Sequence, residues 1–239
     1  MSRELHDLWR LDATELARRI RQREVSAREA TTSVLARIEA VNPRLNALAE
    51  VMADEALAAA DAADAALGAG LAPGLLHGVP VTVKVNVDTA GHATTDGIVV
   101  AREHRADSDS PVVAALRREG AVIVGRSNTP AFSLRWFTDN DLHGRTLNPF
   151  DPAVTPGGSS GGAAVAVATG MGAVAHGNDY GGSIRHPNGS TAEATFVANP
   201  GTSGVIESPV RCNSPEYSSI VMIARSGGVA CASVNSNVA

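Results

Sequence analysis

The sequence predicts an α/β fold, a mixed and largely parallel central sheet flanked by helices. The first quarter is helical in pattern, residues 79 to 125 alternate strand, helix and strand, and the strands are near-continuous runs of valine and isoleucine. Strands without a polar alternation are buried on both faces, and helical crossovers between them imply parallel neighbours.

The elements follow in order. In "LDATELARRIRQREVSAREATTSVLARIEAVNP" the apolar residues Leu16, Ile20, Val34, Leu35 and Ile38 mark two amphipathic helices, with Asp12 and Ser26 as N-caps and Pro43 as the stop. "ADEALAAADAADAAL" is a third, alanine-rich helix that Gly68, Gly70 and Pro73 end. A strand follows from Val79 to Val87. The helix "SPVVAALRREG" comes next, with Ser110 capping and Pro111 at its first position, and then the strand "AVIVG" at 121 to 125, which completes a β-α-β unit. Residues 155 to 187 open with glycines around Ser159 and Ser160, continue as a small-residue helix and a short strand "AVAHG", and end in Gly181-Gly182-Ser183. The chain therefore divides into a helical region (1–75), a core (76–187) and an atypical tail (188–239).

Composition narrows the function. With 239 residues, 44% of them apolar, the chain can bury a sizeable core. A formal net charge of −5, with acids and arginines interspersed, offers no basic stripe for a nucleic acid. No run approaches the length that spans a bilayer, and the charged start "MSRELHDLWRL" has no apolar core of a signal peptide, so a cytoplasmic protein is expected. Cys212 and Cys231 are the only cysteines and the histidines are scattered, so neither a disulfide framework nor a metal site is expected.

Two features ask for a chemical reason. Lys84 is the only lysine in the chain, and it lies in the valine strand, where burying an ammonium is costly. The two glycine-serine turns flank one helix and one strand, and successive turn N–H groups can form a nest for an anion. A phosphate-binding loop of the G-x-x-x-x-G-K-[ST] type is excluded, since no lysine follows either turn. Gly158-Ser159-Ser160-Gly161-Gly162 matches G-x-S-x-G formally, but it follows Asn148-Pro149-Phe150-Asp151-Pro152 and Thr155-Pro156 rather than a strand. The remaining chemistry joins lysine to serine: a lysine made neutral by burial can serve as a base for an activated hydroxyl. Trp9, Trp136, Phe132 and Phe137 read as core or pocket wall.

The motifs Gly78-Val79-Pro80-Val81-Thr82-Val83-Lys84, Gly157-Gly158-Ser159-Ser160-Gly161-Gly162 and Gly181-Gly182-Ser183-Ile184-Arg185, in this order and spacing, resemble the amidase signature family. "GAVIVGRSNTPAFS" and "HGRTLNPFDPAVTPGG" extend the similarity over roughly residues 5 to 187. The resemblance implies a hydrolase of linear carboxylic amides that works through an acyl-enzyme, takes a small-molecule amide and needs no cofactor. It makes Ser183 the nucleophile, Ser159 the bridging serine behind a cis Gly158–Ser159 peptide, and Lys84 the base. Backbone N–H groups of Tyr180, Gly181, Gly182 and Ser183 would hold the oxyanion, with Ser160, Asp179 and Arg185 in support. A glutaminase-type subunit of a tRNA-dependent amidotransferase, and an inactive binding or assembly fragment, are the alternatives.

The chain departs from the family pattern at Val85, where an acidic residue is usual, at Asn178, where threonine is usual, and after "GGSIRHP", where the resemblance ends. The tail is expected to be weakly ordered and to reflect truncation, as from a shifted reading frame. Unpaired sheet edges would then make the protein a homo-oligomer or only marginally stable.

Overall fold

The computed structural model describes residues 7–184, 186–187, 194–198 and 221–225. Five α-helices and six strands are set out in these residues. The helices are α1 (Ala13–Arg21), α2 (Ala27–Leu45), α3 (Ala53–Gly68), α4 (Pro111–Arg118) and α5 (Gly161–Ala168). The strands are β1 (Leu48–Val51), β2 (Pro80–Lys84), β3 (Val122–Ser127), β4 (Val174–Gly177), β5 (Ala194–Ala198) and β6 (Val221–Arg225). They form one sheet in the order β1-β3-β2-β4-β6-β5.

The expected parallel centre is present. β2 pairs in parallel with β3 on one side and with β4 on the other. The crossover through α4 starts at Pro111, whose missing N–H costs nothing in the first helical turn. Ser110 stands at the cap position, but its side chain makes no cap bond, so that part of the expectation is corrected. The outer pairings are antiparallel, β1 on β3 and β6 on β4, with β5 beyond β6. β5 and β6 come from the tail and occupy the edge beside β4. The remainder of the tail, including Cys212 and Cys231, lies outside the described residues.

The other two expected helix caps form. Asp12 accepts the Glu15 N–H at 2.8 Å. Ser26 and Glu29 form a reciprocal capping box, and the Asp64 carboxylate of α3 accepts the Ala27 and Arg28 N–H groups at 2.7 and 3.0 Å. An anion at the positive end of α2 thereby satisfies donors that a helix leaves unpaired. Pro43 does not stop α2. The helix runs on to Leu45 and ends at Asn46 in the left-handed region (φ 50°), while the Asn42 side chain accepts the Ala47 and Leu48 N–H groups at 2.9 Å each. Proline removes one donor late in the helix, and asparagine chemistry supplies the actual stop. β1, for which the sequence pattern gave no sign, starts just after this turn.

Leu16, Ile20, Val34 and Ile38 are buried against Val79, Val81 and the strands of the sheet centre, in one core. All eight residues of α5 are buried, so only small side chains fit there. Gly162 shows how tightly. A Cβ at this position would lie 2.5 and 2.6 Å from backbone O and N of Asn128 and 2.7 Å from the Ala47 carbonyl. No flexible side chain can yield. Gly162→Ala is therefore expected to destabilise by about 1–3 kcal/mol through overpacking, outweighing the roughly 1 kcal/mol that alanine gains in a helix. A urea midpoint equal to or above that of the parent chain would refute this. No helix among the described residues is long and apolar enough to cross a membrane.

Candidate active site

The carboxyl ends of β2 and β4 and the first turn of α5 meet at one place. Sites in open α/β sheets form beyond strand carboxyl ends, because the loops there converge. Lys84 is the last residue of β2, and its side chain is fully buried. Its Nζ lies 2.7 Å from Ser159 Oγ, 3.2 Å from Ser160 Oγ and 2.7 Å from Asn178 Oδ1. The structure thus brings together the lysine and both serines of the double-glycine loop. The Gly158–Ser159 peptide is cis, as the family resemblance implies.

Burial lowers the Lys84 pKa from 10.5 to about 7, against the opposing pull of the Asp96 and Asp179 carboxylates. Desolvation wins because a fully buried ammonium loses its hydration. A substantial fraction is then neutral near pH 7, and a neutral amine is what a base requires.

Ser183 sits in the turn after β4. Its backbone carbonyl accepts the Ser160 N–H at 2.9 Å, which ties this turn to the serine loop. Its hydroxyl makes no hydrogen bond among the described residues, so the contact to Ser159 that a relay needs is not formed in this state. Asp179 shapes the turn by accepting the Gly182 N–H at 2.7 Å and the Ile184 N–H at 3.1 Å. That assignment corrects one expected role, since the Gly182 N–H is already committed and cannot serve an oxyanion in this arrangement. The N–H groups of Tyr180, Gly181 and Ser183 have no partner among the described residues. Arg185 lies outside the described residues.

Sequence reasoning missed the network behind Ser159. Thr129 Oγ1 donates to the Ser159 carbonyl at 3.2 Å and lies 2.9 Å from Ser133 Oγ. Ser133 Oγ in turn donates to Asp96 Oδ1 at 2.9 Å and accepts from Asn86 Nδ2 at 3.0 Å. Asp96, Phe132 and Ser133 all have positive φ, and burial raises the Asp96 pKa. The Asp96-Gly97 dipeptide was the only signal for that turn. Arg126 was missed as well. It is fully buried on β3 and donates to the carbonyls of Ala93, Val85 and Val87 at 2.5, 3.2 and 2.9 Å, pinning the loop that follows Lys84. Asn178, known from the sequence only as a departure from the family pattern, proves to be in direct contact with Lys84.

The aromatic residues divide. Trp9 packs on the core, and the guanidinium groups of Arg10 and Arg37 lie over its ring at 4.4 and 4.1 Å from the centroid. Trp136, Phe132, Phe137 and Tyr180 are exposed rather than core. Trp136 stacks on His186 with ring centroids 5.8 Å apart. Its Nε1 lies 3.9 Å from where a Cβ on Gly182 would be, so the ring borders the Ser183 turn.

The amidase family model matches residues 29–192. An indoleacetamide hydrolase of Bradyrhizobium diazoefficiens is 50% identical over 194 residues, which are 81% of this chain and 37% of that protein. A glutamyl-tRNA(Gln) amidotransferase subunit of Acidothermus cellulolyticus is 45% identical over 77% of this chain and 36% of its own length. Among solved structures, a bacterial aryl acylamidase of the amidase signature family superposes with a TM-score of 0.79 at 33% identity, over 90% of this chain and 45% of that one. Fatty acid amide hydrolase gives a TM-score of 0.82 at 27% identity, over 94% and 40%. The chain thus spans little more than a third of the length of these curated relatives.

Proposed function

The chain belongs to the amidase signature family, and from that premise we propose that it hydrolyses linear carboxylic amides through an acyl-enzyme on Ser183. The observation that carries the proposal is the buried contact of 2.7 Å between Lys84 Nζ and Ser159 Oγ, in the loop whose Ser160 N–H bonds the Ser183 carbonyl. Neutral Lys84 takes the Ser159 proton as Ser159 takes the proton of Ser183, whose oxygen attacks the amide carbon. The oxyanion accepts from the N–H groups of Tyr180, Gly181 and Ser183, each such donor being worth roughly 3–4 kcal/mol in a transition state of this kind. As the C–N bond breaks, the proton on Lys84 returns through Ser159 to the leaving nitrogen. Water then attacks the ester by the same relay and releases the carboxylic acid.

Among linear amides, arylacetamides are the class to test first. The 50% identical relative is an indoleacetamide hydrolase, and the exposed ring of Trp136 borders the Ser183 turn. The amidotransferase relatives favour a second reading, a glutaminase-type subunit that works with partner chains. Co-purification with such partners separates the two. Intact-mass analysis after treatment with a fluorophosphonate tests the nucleophile: a single adduct mapped to Ser183 supports the proposal. No adduct on the folded chain leaves the alternative of an inactive binding fragment.

The base sets the pH dependence. Only unprotonated Lys84 accepts a proton, and its pKa is about 7, so kcat/KM should rise tenfold per pH unit below about 6 and level off above about 8. A rate that is flat from pH 5 to 9 in the folded protein would remove Lys84 as the base.

A further inference from the structure

Lys84 Nζ has three oxygen neighbours, and they differ in what they can do. Asn178 Oδ1, at 2.7 Å, can only accept. Ser160 Oγ, at 3.2 Å, directs its own proton to the Asn178 carbonyl at 3.3 Å and therefore also accepts from the lysine. Ser159 Oγ, at 2.7 Å, is the one neighbour free to donate or accept. A neutral lysine amine has two N–H groups and one lone pair, whereas an ammonium has three N–H groups.

Resting on the reading of Lys84 as the base, we infer that Asn178 is a positioning residue for the amine. With Ser160 it holds two N–H groups of Lys84 in both protonation states, so that proton exchange is confined to Ser159. In the neutral state the lone pair has one donor available, the Ser159 hydroxyl. In the charged state the third N–H points back at the same oxygen. Only hydrogens move between the two states; no heavy atom has to shift, and a proton cannot be delivered to a carbonyl or an amide oxygen. The main chain agrees with this arrangement. Asn178 directly follows β4, and its own carbonyl receives the Ser160 hydroxyl, so one residue fixes both acceptors. Gly177 before it leaves the space, since a Cβ there would meet Ser160 Oγ at 2.9 Å.

The charged groups that act on Lys84 among the described residues are Asp96, in the loop after β2, and Asp179, in the turn after β4. Both remain in every variant below, so a change at Asn178 reads Asn178 alone.

Lys84 is the only lysine in the chain, so 13C,15N-lysine labelling of the untagged protein gives one side-chain signal whose pH titration follows this amine without reference to turnover. The parent chain should show a midpoint near 7. Asn178→Asp puts a carboxylate on the same contact and should raise the midpoint by one to three units. Asn178→Leu removes an acceptor that favours the charged form and should lower it by half a unit or more. Ser160→Ala should also lower it, and supplies the test if Asn178→Asp does not fold. The opposite signs are decisive, because mere loosening of the site would admit water and raise the midpoint in every variant. Unchanged midpoints, or shifts in one direction only for Asp and Leu, overturn the inference. Where turnover is present, the acidic limb of kcat/KM moves with each midpoint. Opposite shifts in a chain that forms no acyl-enzyme would sustain this role of Asn178 and remove the proposed hydrolysis; acyl transfer with unmoved midpoints would do the reverse.

Discussion

Replacing Ser183 with alanine is expected to abolish acyl-enzyme formation and leave the fold intact. The hydroxyl makes no hydrogen bond among the described residues, and the contact that ties its turn to the serine loop is made by the Ser183 carbonyl, which alanine retains. Asp179 still holds the Gly182 and Ile184 N–H groups, so the turn keeps its shape. The stability change should be within about 0.5 kcal/mol, as for a substitution away from packing and networks. The rate should fall by roughly 10⁴-fold or more, because in the proposed relay Ser183 is the one member whose oxygen forms the acyl-enzyme bond. The fluorophosphonate adduct should disappear with it. A variant that still turns over amide at the parent rate, or that still acquires the adduct, would move the nucleophile elsewhere; Ser159 and Ser160 would then be the serines to replace.

What the sequence made legible was local chemistry. Asp12 and Ser26 announced two helix starts because capping is settled within four residues. The lysine among valines announced a buried amine, because burial of one ammonium is a conflict that can be seen without coordinates. What it hid depends on distant partners. β1 is the four residues Leu48 to Val51, between two helices, and they become a strand only by pairing with β3. The Asp96, Ser133 and Thr129 network spans loops more than thirty residues apart. Asn178 lies 94 positions from the lysine it touches, and a polar residue between Gly177 and Asp179 carries no mark of that contact. The hydrogen bond that is not formed between Ser183 and Ser159 belongs to the same class: motif order placed both serines in one region, yet the distance between their hydroxyls is set by how two separate turns settle against each other.

Lys84→Met and Ser159→Ala should each lower kcat/KM by several orders of magnitude, and the double variant should be no more than about tenfold worse than the poorer single one. Two groups that pass one proton along one path fail together, so losses do not multiply. Multiplicative losses would mean independent roles. Stability gives a second readout that does not depend on turnover. The Lys84 pKa is lowered from 10.5 in the solvated chain to about 7 in the fold. Below about pH 7 both states carry the proton, and the fold bears the full cost of the buried charge. Between about 7 and 10.5 the unfolded chain binds a proton that the native state lacks, so stability rises with pH by about 1.4 kcal/mol per unit. Every other titrating group is common to the parent chain and Lys84→Met, so it cancels in the difference between them. Unfolding free energies measured in urea at pH 7, 8 and 9 should therefore diverge, the parent chain gaining on the methionine variant at each step. Parallel curves would show that Lys84 is charged in the native state throughout this range, and an amine that keeps its proton at pH 9 cannot be the base near neutrality.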